Sequence, residues 1–494
     1  MNTAQRNKNV VLALILACQL MVVLDISVII TALPQIESSL NFSTENLSWV
    51  QNAYALTFGG LLLLGARAGD ILGRRRVFVA GIALFTVASF AGGIAQSELW
   101  LLVARAIQGV GAAIAAPSTL ALLTVTFAEG RERTRAVAYY SSVSAAGGSI
   151  GLVLGGMLTD WISWRWGLFI NVPIGIALIA LAPKYLPETE RQPGHFDVLG
   201  AITSTLGMSA VVFGFVRAAA NGWGSTSTVA SFAIGAALLA TFVINERWAA
   251  QPITPLRLFA SRERAGAYAT RMLVVGAMFS MFYFVSQFMQ GVDDFSPLKT
   301  GIAFLPMTIM MFAMIRVIPR VMERVGGMPL LIGGLAVALL GMLWLSRISM
   351  GSSYFPGIML PMIMLGLGIG TAFTPLTASG IAGVDPHDAG AASGLVNVSQ
   401  QLGGSVGLGI LVTVFASAGR SAADRLPTGV TDAFQARYEL AHGVSAAVTG
   451  SFVLLALALT VATTVMWTAK PRRTDTVASR EAELLAEQLE GELV

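Results

Sequence analysis

Asp25 stands alone as a charge in Val10–Pro34, a run that is otherwise apolar or small apart from Gln19. The run is long enough to cross a bilayer, which takes about 20 residues. An ionised carboxylate at that depth costs roughly 2.5–3.5 kcal/mol on insertion scales. A helix keeps such a residue where it faces a polar cavity, pairs with a cation or carries a proton. A structural alternative is a carboxyl held neutral by a neighbouring hydroxyl such as Ser27. Arg105, within Leu101–Gly111, is the one basic residue deep inside an apolar run, and it requires an anion or a water-filled cavity unless it snorkels or bonds a backbone carbonyl. Burial favours a neutral carboxyl, whereas a nearby cation favours the ionised form. A group under both influences can take up and release protons, so Asp25 and Arg105 form the candidate proton and cation site. Asp25→Asn is expected to spare folding, since it removes a charge that is costly in lipid.

The elements that must position these residues are membrane helices. Only 12% of the 494 residues are charged, about half the share in soluble domains, and 55% are hydrophobic, which makes the chain an integral membrane protein. Its 52 glycines suit helices whose backbones approach closely. Fourteen spans are read at roughly 10–32, 46–66, 77–95, 99–122, 135–159, 165–183, 197–216, 228–246, 268–290, 299–318, 328–346, 354–377, 392–417 and 446–468. Cys18 has no partner for an internal disulfide, and His195, His387 and His442 are too scattered for a metal-ligand set. No nucleophile–base constellation is visible, so neither enzymatic activity nor a metal or organic cofactor is expected.

Lysine and arginine sort by side. The N-terminus and every second loop after it carry 23 of the 31, the alternate loops carry seven, and Arg105 is the remainder. The positive-inside rule then puts both termini in the cytoplasm of a multi-pass plasma-membrane protein. It also accounts for the net charge of +4 without nucleic acid as a partner. The lipid bilayer is the expected partner.

The chain repeats itself at one offset. Gly147–Leu152 reads GGSIGL, and Gly403–Leu408, 256 residues later, reads GGSVGL. Asp70–Gly73 is echoed by Glu323–Gly326, and Gln108–Gly111 with Pro117 by Leu367–Gly370 with Pro375. These matches point to a duplicated six-helix unit, at 10–183 and 268–468, with two inserted helices at 197–246 and a cytoplasmic tail at 470–494. Glu481–Val494 in that tail reads as a short acidic amphipathic helix. At the 256-residue offset Asp25 falls on Met281 and Arg105 on Pro361, so the second unit has no deep ionisable counterpart and proton chemistry belongs to the first. Parallel repeats around a midplane site are a transporter architecture.

Gly65-Ala-Arg-Ala-Gly-Asp70-Ile-Leu-Gly73-Arg74-Arg75-Arg76 combines a glycine turn, an acid placed to cap a helix and arginines at the inner surface. It resembles the signature between helices 2 and 3 of the major facilitator superfamily, with Ala66 and Ile71 as departures. The resemblance implies that Gly65, Asp70, Gly73, Arg74 and Arg75 form a cytoplasmic gating motif that latches the two halves. Leu101–Gly111 resembles the fourth-helix motif of that superfamily's proton-coupled antiporters. Gly147, Gly151, Gly155 and Gly156 resemble its antiporter motif, with Leu152 in the usual proline position. Leu24–Pro34, Ser163–Gly175 and Phe288–Pro306 are similar to the first, sixth and ninth-to-tenth helix stretches of the fourteen-helix drug:proton antiporters, the QacA/EmrB-like group.

The implied fold is all-α: the major facilitator fold with fourteen transmembrane helices, in two six-helix bundles with two inserted helices, around a central cavity with alternating access. The implied function is proton-coupled efflux of amphipathic, cationic or lipophilic drugs, with a dedicated exporter of an endogenous metabolite or lipid as the alternative. Candidate cavity residues are Gln108 and, from the methionine-rich stretch Met272–Met328, Met278, Met281, Met289, Met307 and Met310, whose flexible thioethers can repack around different ligands. Asn397, Gln400 and Gln401 are read as bonding helix to helix rather than lining the cavity.

Overall fold

A computed structural model describes residues 3–43, 46–127, 131–189, 191, 196–249, 252–384, 389–426 and 430–467; the tail expected at 470–494 lies outside the described residues. Sixteen α-helices occur among them. The first half holds α1 (Thr3–Leu40), α2 (Trp49–Leu72), α3 (Arg74–Gly93), α4 (Glu98–Thr126), α5 (Arg131–Trp161), α6 (Trp166–Phe169) and α7 (Asn171–Tyr185). Then come α8 (Val198–Asn221) and α9 (Thr226–Trp248). The second half holds α10 (Arg262–Gly291), α11 (Pro297–Ala303), α12 (Leu305–Val325), α13 (Gly327–Leu345), α14 (Met359–Gly380), α15 (Ala389–Ala423) and α16 (Asp432–Val461).

Counting α6 with α7 and α11 with α12, these helices make the fourteen expected spans. Thirteen stretches among the described residues are long and apolar enough to cross a membrane, and the remaining span is α5, a continuous helix of 31 residues. Both split spans break at a proline. Pro173 and Pro306 lack an N–H and crowd the carbonyl four residues earlier, at Phe169 and Ile302, just where each first segment ends. Several helices overrun the expected boundaries. The clearest is α16, which starts at Asp432 and brings Arg437 from its expected loop onto a helix, 2.5 Å from Asp294.

The repeat is carried by glycine contacts. On α5, a Cβ at Gly147, Gly151 or Gly155 would meet Val23, Ser27 or Val28 of α1 within 2.6–2.9 Å. At the equivalent places on α15, Gly403 and Gly407 lie against the backbone of Met272 and Gly276 on α10. Each half therefore grips its first helix with its fifth, and only glycine leaves room for that approach. Of the inserted pair, α8 wedges between α2 and α15, with Thr205 against Gly60 and the Thr413 hydroxyl donating to the Phe215 carbonyl at 2.7 Å, while α9 packs chiefly on α8.

The two halves meet tightly at the end opposite the α2–α3 turn. There Gly156 abuts the Pro297 carbonyl, Gly301 abuts that of Leu152, Ser286 Oγ donates to Ile30 O, and Gln290 Nε2 donates to Thr31 O. Toward the arginine-rich end they separate around a cavity of about 1140 Å³.

Candidate functional site

Asp25 and Arg105 meet in the core of the first half, 1% and 0% exposed, which excludes both snorkelling and direct solvation. Arg105 Nη1 lies 2.5 Å from Asp25 Oδ2. Its Nε donates to the Val50 carbonyl at 2.9 Å and Nη1 also donates to Gln108 Oε1 at 2.7 Å, while the guanidinium carbon sits 4.5 Å from the Tyr54 ring centroid. The other carboxylate oxygen, Oδ1, accepts from Gln108 Nε2 at 2.6 Å and from Asn171 Nδ2 at 2.9 Å. Gln108 Nε2 also donates to Ser89 Oγ at 2.8 Å. The carboxylate ties α1 to α4 and α7, and Arg105 and Gln108 extend the network to α2 and α3. Every donor around Asp25 suits its ionised form, and Ser27, the hydroxyl considered as a neutralising partner, donates instead to Val23 O.

Asn171, Ser89 and Tyr54 were not foreseen as members of this network. Asn171 is the one polar residue in the apolar stretch Trp166–Leu178 and could have drawn notice on that ground. Ser89 and Tyr54 are ordinary helix residues, and nothing in their spacing announces which way they face.

The cavity lies beside this network and toward the arginine-rich end. Val22, Val23, Ile26, Phe58 and Leu62 supply an apolar wall; Gln19, Tyr140, Asn397, Gln400 and Gln401 supply polar groups; and Arg67, Asp70, Arg74, Asp197 and Arg257 carry the charge. Asp25, Arg105 and Gln108 do not line it. Asn397, Gln400 and Gln401 do, which corrects the reading of them as helix-to-helix bonds alone, although Gln400 also accepts from Arg271.

The methionines lie elsewhere in this conformation. Met281, Met289 and Met307 are 0–1% exposed in the core of the second half, Met278 packs against that core, and neither these nor Met310 lines the cavity. The physical reason is packing: α10 is enclosed by α1, α14, α15 and α16, which buries Met281 and Met289, and α12 lies against α14, where Gly366 meets the backbone of Met307. Arg271 also needs correction: it sits in α10 rather than a loop and is 7% exposed, so the second half does hold a buried ionisable group.

The turn between α2 and α3 depends on Gly73, whose φ of 100° suits a residue without a Cβ. Arg74 pairs with Asp70. The Arg75 amide donates to Glu188 Oε1 at 3.1 Å and the Arg74 amide to Thr189 Oγ1 at 3.2 Å, so Glu188 places its negative charge at the N-terminus of α3. These contacts all fall within the first half. In this conformation Arg67, Asp70 and Arg74 of the motif line the cavity. Gly65 packs against the Ala113 carbonyl of α4.

Residues 15–408 match the family model of the Major Facilitator Superfamily. The chain is 39% identical over 429 residues to the cephamycin export protein CmcT of Amycolatopsis lactamdurans, covering 85% of this chain and 88% of that protein. It is 38% identical over 444 residues to the puromycin resistance protein pur8 of Streptomyces alboniger, covering 89% and 84%. Among solved structures, a bacterial homologue of the human lysosomal transporter Spinster, crystallised in an inward-facing and unoccupied conformation, shares the fold with a TM-score of 0.66 at 15% identity, over 94% of this chain and 99% of that one. By the family-model match and the identity to these relatives, the chain belongs to the major facilitator superfamily.

Proposed function

We propose that the protein exports amphipathic drugs across a bacterial plasma membrane in exchange for protons, with the arginine-rich end of the bundle and both termini in the cytoplasm. The observation that carries this reading is the placement of a buried, fully paired carboxylate, Asp25, beside a cavity large enough for a drug molecule but not on its wall. Substrate and proton then occupy different places and are coupled through the conformation of the first half. Relatives named for cephamycin export and puromycin resistance support a drug-like cargo. The charge alternation of the loops supports the orientation. In this conformation the halves are closed at the far end, and the cavity reaches Asp70 and Arg74. It is the arrangement that loads from the cytoplasm, and rocking of the halves about α8 would release cargo outside.

The test is uptake of fluorescent drugs into inverted membrane vesicles, with and without a proton gradient. Accumulation should require the gradient, collapse with a protonophore and vanish in Asp25→Asn. Uphill transport by Asp25→Asn at the parent's rate, or transport indifferent to the protonophore, would remove the proton assignment.

A further inference from the structure

We propose that Arg271 provides the cavity with a binding site for the carboxylate of an acidic amphipathic substrate. The inference rests on the export reading and names the charge class of cargo that the same cavity accepts.

Arg271 is 7% exposed, and its contacts are all with neutral groups. Nη1 donates to Thr377 Oγ1 at 2.9 Å, Nη2 donates to Gln400 Oε1 at 3.1 Å, and the guanidinium carbon lies 4.9 Å from the Phe373 ring centroid. Nε is buried without a hydrogen-bond partner. No carboxylate among the described residues pairs with it. The two other buried arginines are compensated differently. Arg105 has Asp25, and Arg264 donates to three backbone carbonyls, those of Leu258, Ala382 and Gly383. Keeping a cation out of water without a counter-charge is costly, and an anion that enters and leaves would explain why this one is kept.

Position supports the same conclusion. Gln400, which occupies Nη2, is itself on the cavity wall. Nε and Nη2 form the side-on edge of a guanidinium, the edge that binds a carboxylate with two parallel hydrogen bonds. Rotating the Gln400 side chain aside would release Nη2 next to Nε, which already lacks a partner. The apolar face of the cavity on α1 and α2 takes the rest of such a molecule.

The experiment measures equilibrium binding of dansyl-leucine and of its methyl ester to the purified full chain in lipid nanodiscs, with no gradient and with empty nanodiscs subtracted. The two probes differ only in the carboxylate. The parent should bind the acid about tenfold or more tightly than the ester, as a charge-assisted hydrogen bond implies. Arg271→Gln keeps polar contact with Thr377 and Gln400 and should lose that preference, with ester affinity unchanged. Arg271→Lys should keep part of it. Equal affinity for acid and ester in the parent, or a parallel loss of both in Arg271→Gln, would overturn the inference and leave Arg271 as a packing residue. If Arg271→Gln does not fold, the acid-to-ester ratios of the parent and Arg271→Lys decide alone. A failure of gradient-driven uptake in vesicles would refute proton coupling without touching this ratio, so the two readings fail separately.

Discussion

Asp25→Asn offers a quantitative test of the buried network. From sequence alone the substitution should be harmless to folding, because it removes a charge from lipid. The pairing reverses that expectation: Arg105, 0% exposed, would keep its positive charge with only Val50 O, Gln108 Oε1 and the face of Tyr54 around it. Removing one partner of a buried pair costs about 3–5 kcal/mol. Arg105→Gln should cost a similar amount, because it strands the Asp25 carboxylate among amides alone. In the double variant Asp25→Asn/Arg105→Gln both charges are gone and four amides share the site. It should therefore be more stable than the sum of the single losses implies, with a coupling energy of at least about 2 kcal/mol. The assay is reversible SDS unfolding of the purified protein in mixed micelles, followed by circular dichroism, for all four proteins. Drug uptake into inverted vesicles runs in parallel, and there the double variant should be as inactive as Asp25→Asn, since no titratable carboxylate is restored. Stability recovered without transport is the distinctive outcome. Additive losses, with coupling under about 0.5 kcal/mol, would refute the energetic account of the pair. Gradient-driven transport by the double variant would refute its role in coupling.

Two further perturbations act at the closed end. Gly156→Ala puts a Cβ 2.4 Å from the Pro297 carbonyl and should weaken the seam between α5 and α11 by about 1–3 kcal/mol, seen as a larger open fraction there in spin-label distance measurements; unchanged distances would show that the seam yields without cost. Asp293, in the turn after α10, has its carboxyl pushed up to about 6 by burial, with Lys299 opposing and Asp294 adding to the rise. A raised value favours the protonated form in the packed turn, so that contribution is full below the ordinary carboxylate value near 3.8 and is lost as pH rises through about 6. Hydrogen exchange across Val292–Ser296 should therefore show more protection at pH 5 than at pH 7.5 after correction for intrinsic rates, and Asp293→Asn should flatten the difference.

The helices were legible because bilayer thickness imposes a length and the positive-inside rule imposes an alternation of charge, both of which leave marks along the chain. The duplication was legible because each half needs glycine where its fifth helix crosses its first, so Gly147 and Gly151 reappear as Gly403 and Gly407. Asp25 and Arg105 stood out as rare intramembrane charges, but no spacing rule says that residues 80 apart meet. Asn171 and Ser89 were hidden because neutral polar residues are common in membrane helices and their role depends on helix rotation. The methionines misled for the same reason: composition marks a helix as adaptable but not the face it turns to a cavity. Arg271 was misread because the arginines from Arg247 onward resemble a loop, whereas α10 starts at Arg262 and carries Arg271 inward.

The energies in the proposed cycle can be compared. With Asp25 ionised, its two oxygens take three donors, from Arg105, Gln108 and Asn171. Protonation turns one oxygen into a donor. Asn171 can meet it, because its Oδ1 is buried without a partner and an amide flip would present that acceptor to Asp25. Arg105 keeps its bond to Oδ2 but loses its counter-charge, at a cost of the order of the 3–5 kcal/mol for a broken buried pair. A gradient of one pH unit supplies about 1.4 kcal/mol, and each 100 mV adds about 2.3 kcal/mol per charge, so the proton motive force is of the right size to meet that cost. A proton can shift the two conformations only by as much as its affinity differs between them. The shift has a mechanical route as well. Asp25 lies on the stretch of α1 that α5 grips through Gly151 and Gly155, and one residue further along α5, Gly156 forms the seam with α11. Re-pairing at Asp25 therefore acts on the helix that holds the far end shut.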